Sequence, residues 1–223
     1  NYQETLDSVF TLAHEMGHAL HSWHSDHKQE CIYAGYRTFV AEVASTCNEA
    51  LLIHDLLEKT SDKKERAYLL NYHLEQFRTT LFRQTMFAEF EWKAHEMAEN
   101  GEALTAQNLS EMYHQLNVDY FGDETVIDKE IDLEWARIPH FYNSFYVYQY
   151  ATGYSAAIAL SSKILKEGKS AVDDYVNKFL RGGGSKDPID LLKGAGADMS
   201  KKESVQSALQ VFEQLLDEIE ELL

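Results

Sequence analysis

His14 and His18 stand four residues apart, with Glu15 directly after the first, in the segment His14-Glu15-Met16-Gly17-His18. On a helix, positions i and i+4 are neighbours. Both imidazoles then point to one side, and each can give a ring nitrogen to a tetrahedral Zn²⁺ at about 2.0–2.1 Å. Glu15, one step round the helix, lies near the position such an ion leaves open, where it can take a proton from zinc-bound water. The competing reading is a chance match on an exposed helix in a chain with ten histidines. The apolar character of residues 9–20 counts against it, as does a third ligand candidate downstream. Glu42 and Glu49 are seven residues apart, nearly two helical turns, and so share a face of the segment that carries Phe39, Val43, Ala50 and Ile53. A catalytic zinc needs a third protein ligand. Glu42 is read as that ligand, and Glu49 as a carboxylate that orients a zinc-bound imidazole. His21 flanks the site, whereas His24, His27, His54, His73 and His95 have no partner pattern and read as surface or core residues.

Those side chains need rigid helices to hold them, and the chain supplies little else. It has two prolines and eleven glycines among 223 residues, with long stretches rich in Ala, Leu, Glu, Lys and Gln. That composition predicts an all-α structure, a helical bundle with the HExxH segment on one helix. The zinc helix is expected over about 5–25, capped by Thr5 or Ser8, followed by a polar loop at 25–30 and a Glu42 helix reaching about Lys59. Ser61 or Asp62 caps a helical run over 63–99 that stops at Asn100-Gly101. Further helices are expected at 106–120, 130–137, 144–166, 170–180, 188–193 and 201–222. Arg181-Gly-Gly-Gly-Ser-Lys186 lacks the spacing of a phosphate loop and reads as a flexible connector. Asp187-Pro188 fits an N-cap with proline at the first helical position.

A net charge of −17 argues against nucleic acid as a partner, since phosphate backbones are bound by clustered Lys and Arg. Cys31 and Cys47 form no CxxC or secreted-scaffold pattern and read as reduced thiols of a cytoplasmic protein. No apolar run approaches the length of a membrane span.

The sequences HEMGHALHSWH and FVAEVASTCNEALL resemble the zinc peptidases of the thimet oligopeptidase and oligoendopeptidase F group. The likeness continues through Pro139–Tyr154, PIDLLKGAGADMS and ALQVFEQLLDEIEELL. It implies a multi-helix, zincin-type catalytic domain that acts as a metalloendopeptidase on short peptides. His14, His18 and Glu42 would hold one zinc per chain, with Glu15 as general base. It also implies that residues 1–223 are the C-terminal part of the catalytic domain of a longer peptidase, with no internal boundary placed. The N-terminal remainder of the same polypeptide would complete the cleft.

Between Pro139 and Tyr154 stand one histidine and five tyrosines, and Tyr142, Tyr146, Tyr150 and Tyr154 follow an i+4 spacing that predicts one stripe of phenols. Peptide hydrolysis passes through a tetrahedral oxyanion that Tyr or His donors can stabilise. The resemblance places that role on His140, Tyr150 and Tyr154, with Tyr146 and Tyr148 as rivals. Aromatic core with locally satisfied hydroxyls is the alternative.

Two other functions compete. Glu15-x-x-His18 and Glu111-x-x-His114 formally match the Glu-x-x-His pairs of di-iron helical bundles, which would make the protein an oxidoreductase or an iron-binding protein. That scheme leaves His14 without a role. Alternatively, the chain alone is a catalytically incomplete metal-binding fragment.

Overall fold

Helix follows helix wherever the sequence carries a 3.6-residue apolar period, and the computed structural model, which describes residues 1–222, has no strand among the described residues. The elements are α1 (Leu6–Lys28), α2 (Cys31–Ala34), α3 (Thr38–Lys59), α4 (Lys63–Phe77), α5 (Arg83–Glu99), α6 (Ala106–Phe121), α7 (Tyr148–Glu167), α8 (Lys169–Asp174), α9 (Pro188–Ala195) and α10 (Glu203–Leu222). Thr5 caps α1, its hydroxyl accepting from the Ser8 amide at 3.3 Å. Asp62 caps α4 through Oδ1, which accepts from the amides of Lys64 and Glu65. Each cap satisfies amides that have no carbonyl one turn earlier. The polar residues 25–28, expected in a loop, instead extend α1 by most of a turn.

The contacts divide the chain into two compact units, Asn1–Phe77 with Thr152–Leu223, and Arg78–Ala151. The single run expected over 63–99 is interrupted at this boundary by a π-helical turn, Arg78–Phe82. α7 begins in the second unit and continues in the first.

In the first unit α1 lies along α3, and α4 packs on α3 and α10. Phe10, Ile53 and Leu69 form one buried cluster. Val43, Ala44, Cys47, Ala156, Ala157, Leu160, Phe179 and Leu192 form another. A fully buried side chain of the Leu, Ile or Phe class contributes roughly 1.5–3 kcal/mol, so this packing fixes the face of α3 that carries Glu42. The triple glycine after Arg181 is not a flexible connector. Gly182 and Gly183 are buried, Gly183 has φ 52°, and a Cβ on it would sit 2.6 Å from Ser25 Oγ and 3.2 Å from Ala34 O. The Gly184 amide donates to Tyr33 O at 2.7 Å, and Gln29 Nε2 donates to Arg181 O at 2.5 Å. Glycine is required there because the loop lies directly on the backbone that follows α1.

In the second unit α5 and α6 pack together with a 3-10 helix, Lys129–Arg137, around Phe87, Phe90, Tyr113, Leu116, Ile138 and Val147. Glu134 is buried but fully engaged: it accepts from Tyr113 Oη at 2.6 Å, from Arg83 Nη2 at 2.5 Å and from Arg137. A carboxylate taken out of water needs such partners. The helix expected over 144–166 starts only at Tyr148, because Phe145 adopts φ 57°. Its amide donates to the buried Glu91 at 2.6 Å. Tyr142 therefore lies in a separate 3-10 helix, Pro139–Tyr142, and is 90% exposed. The expected stripe of four phenols does not form.

Candidate metal centre

α1 presents His14 and His18 on the same side, their ring centroids 4.8 Å apart and nearly perpendicular. α3 brings Glu42 to them. Its Oε2 lies 3.2 Å from His14 Nε2 and 3.5 Å from His18 Nε2, and one donor atom from each of the three residues falls within 4.8 Å of the others. Ligands bound tetrahedrally at about 2.0–2.1 Å must stand roughly 3.3–3.4 Å apart. The two edges from Glu42 agree with that separation, and two imidazoles with a carboxylate are a donor set that suits zinc. No other group of three such donors occurs among the described residues.

His14 faces carboxylates on both sides, since its Nδ1 is 3.5 Å from Glu49 Oε1. The Glu42 hydrogen bond, followed by that of Glu49, pushes its pKa up to about 10. The His14 contact in turn holds Glu42 below the usual carboxylate range. A cation placed between Glu42 and the imidazoles would take over the contacts Glu42 now makes with them, leaving Glu49 to fix the ring through Nδ1. One further contact joins the two helices, Asn48 Nδ2 donating to Ala13 O at 3.3 Å. Within α3, Ser45 Oγ donates to Glu42 O at 2.9 Å and stands 3.4 Å from Glu42 Oε2.

Gly17 was not singled out from the sequence, yet it permits this geometry. A Cβ there would press into Ser45 Cα and lie 2.8 Å from Ala44 O and Ser45 N. These are backbone atoms, which cannot rotate away. A glycine inside a helix costs about 1 kcal/mol relative to alanine, and that cost is the local signal that a close approach occurs here.

Glu15 is exposed on α1 beside the centre. His21 is buried, stacked on Tyr36 at 3.8 Å, and pushed down to about 4 by burial. It is a neutral core residue, not a ligand.

Of the three residues assigned to the oxyanion, Tyr150 and Tyr154 stand one turn apart on α7, and His140 lies in the preceding 3-10 helix. His140 and Tyr150 belong to the second unit, where Tyr150 Oη is 3.3 Å from His140 Nε2 and Tyr146 stacks on His140 at 5.6 Å. Tyr154 belongs to the first unit. It is buried, with its ring edge-on to Phe77 at 5.0 Å, and its hydroxyl has no hydrogen-bond partner among the described residues. Burial, with the Glu49 charge nearby, raises it well above the usual phenol range. The two Glu-x-x-His pairs fall in different units, Glu15 and His18 in the first. Glu111 and His114 lie in the second unit, where His114 Nδ1 contacts Asp132 at 2.6 Å and Glu111 accepts from Gln107.

Residues 1–211 match peptidase family M3. The chain is 57% identical over 223 residues to Oligopeptidase PepF of Bacillus subtilis (strain 168), covering 100% of this chain and 33% of that protein. It is 45% identical to the chromosomal Oligoendopeptidase F of Lactococcus lactis subsp. cremoris, of which it covers 37%. The crystal structure of oligoendopeptidase-F from Enterococcus faecium superposes with a TM-score of 0.87 at 46% identity, over 97% of this chain and 39% of that one. The chain thus spans little more than a third of the length of these relatives. No helix among the described residues is long and apolar enough to cross a membrane.

Proposed function

Because the chain belongs to peptidase family M3, we propose that it carries the catalytic metal centre of a zinc-dependent endopeptidase that hydrolyses short peptides. The observation that carries this reading is the spacing of the donors: 3.2 and 3.5 Å from one Glu42 oxygen to two imidazole nitrogens. The names of the relatives, an oligopeptidase and an oligoendopeptidase, point to peptides of limited length as substrates.

His14, His18 and Glu42 would hold the ion. Zinc bound there supplies a Lewis acid that polarises the scissile carbonyl and makes a water more acidic. Glu15, which follows His14 on α1 and is open to solvent, removes a proton from the attacking water. As the oxygen bonds to the carbonyl carbon and the C–N bond breaks, Glu15 returns that proton to the leaving amine. Glu49, 3.5 Å from His14 Nδ1, would accept from that nitrogen and leave Nε2 free to hold the ion. The oxyanion role belongs to His140, Tyr150 and Tyr154 in this reading. The Tyr154 hydroxyl, without a hydrogen-bond partner among the described residues, offers one donor, and Tyr150 stands 3.3 Å from His140 through its hydroxyl. Two free thiols suit a reducing compartment such as the cytoplasm, and the remainder of the longer polypeptide completes the cleft.

The test is cleavage of an internally quenched peptide by the full-length polypeptide and its Glu15→Gln variant. Loss of a general base lowers kcat by roughly 10²–10⁴, with zinc content unchanged. Undiminished cleavage by Glu15→Gln would remove Glu15 from the mechanism.

A further inference from the structure

The first unit contains a second polar feature that peptide hydrolysis leaves unused. A cavity of about 510 Å³ lies among α3, α4, α7 and α10, within the range of small-molecule sites, roughly 300–1,000 Å³. It is separate from the metal centre: the lining residue nearest in sequence to Glu42 is Ala50, about 12 Å farther along α3 at 1.5 Å per residue.

His73 lines this cavity and is only 5% exposed. Neither of its ring nitrogens has a hydrogen-bond partner among the described residues. Burial pushes it down to about 4, so near neutral pH the ring offers one N–H donor and one lone pair, both unused. Buried polar groups in folded proteins are almost always paired, so a ring with two unspent positions on a cavity wall calls for an occupant. The walls beside it combine apolar Ala50, Ile158 and Leu215 with polar His54, Ser161, Ser162 and Gln214. Charges of opposite sign stand on two different lining helices, Glu58 on α3 and Lys166 on α7. Glu58 stands 3.9 Å from His54 Nδ1, and the other charged pair, Arg66 and Glu218, is joined directly.

An occupant matching these walls has a short aliphatic body, an N–H, a carbonyl oxygen and one charge of each sign. We propose that the cavity binds an aliphatic dipeptide in its zwitterionic form. Its amide and carboxylate groups meet the two nitrogens of His73, its ammonium lies toward Glu58 and its carboxylate toward Lys166. The inference stands on the cavity and does not rest on the peptidase reading, although peptide hydrolysis releases molecules of this class.

Isothermal titration calorimetry with L-leucyl-L-leucine, on the full-length polypeptide carrying Glu42→Ala, tests it without turnover and without a contribution from the metal centre. One saturable site per chain is expected. His73→Phe should weaken it about tenfold or more, the worth of one to two hydrogen bonds. Lys166→Ala, a surface change that keeps the core intact, should weaken L-leucyl-L-leucine about tenfold while leaving its C-terminal amide unaffected. The absence of saturable binding up to roughly 10 mM, a Kd weaker than any useful affinity, would overturn the proposal, whether water or another part of the polypeptide fills the cavity. So would equal affinity in folded His73→Phe, or equal effects of Lys166→Ala on both ligands. Loss of peptidase activity in the otherwise unaltered protein would bear on the catalytic reading alone.

Discussion

Tyr154 shows how a single side chain can separate structure from chemistry. Its hydroxyl is buried without a partner, so removing it relieves a desolvation cost instead of breaking a bond. Tyr154→Phe should leave the thermal midpoint unchanged or raise it, with a gain of at most about 1–3 kcal/mol. If the hydroxyl donates to the developing oxyanion, the same substitution lowers kcat by roughly 10²–10³ at nearly constant KM. Lower stability with normal kcat would show that the hydroxyl has a structural partner and no catalytic one. His73 makes a second residue-scale prediction, on pH. Its folded pKa, about 4, lies below the unfolded value of 6.5. The unfolded chain therefore binds more protons between those values, and stability is full above about pH 6.5 and falls as pH drops toward 4. His73→Leu should reduce that slope by up to about 1.4 kcal/mol per pH unit, read from denaturant midpoints across the range. An unchanged slope would mean that the ring is hydrated in the folded state.

At the scale of elements, the candidate metal centre is a contact between two helices, and Gly17 sets their separation. Gly17→Ala adds a Cβ where Ser45 and Ala44 backbone already stands, so α1 and α3 must move apart and Glu42 must withdraw from both imidazoles. Zinc affinity, measured by chelator competition in the folded variant, should fall about 10–100-fold, as for other changes that misplace a ligand. Unchanged affinity would show that the helices flex without disturbing the donors. This centre was legible in the sequence because its signals are local: an i, i+4 histidine pair, and two carboxylates on one face of the next apolar helix. The phenol stripe was misread because the turn at Phe145 depends on Glu91, 54 residues earlier. The triple glycine was misread for a similar reason. What it touches, Tyr33 and Ser25, lies about 150 residues away in the chain, and such long-range contacts leave no periodic trace.

On the scale of the whole molecule, the all-α class and most helix limits follow from composition and apolar period. The division at residues 77–78 and 151–152 does not, since no proline- or glycine-rich linker marks it and α7 runs through it. The chain covers 33% and 37% of two relatives, so the remaining polypeptide is expected to form much of the substrate cleft. Zinc binding by this chain alone should match that of the full-length protein, while peptide cleavage should appear only in the latter. Equal cleavage by both would place the whole cleft within these residues. The central claim, that His14, His18 and Glu42 hold a catalytic zinc, is tested most directly by the zinc content of the purified full-length protein and its variants. About one zinc per chain is predicted for the unaltered protein and for Glu15→Gln, and none for Glu42→Ala, because only the latter removes a ligand. Stoichiometric zinc retained by Glu42→Ala, or its absence from the unaltered protein, would contradict the account.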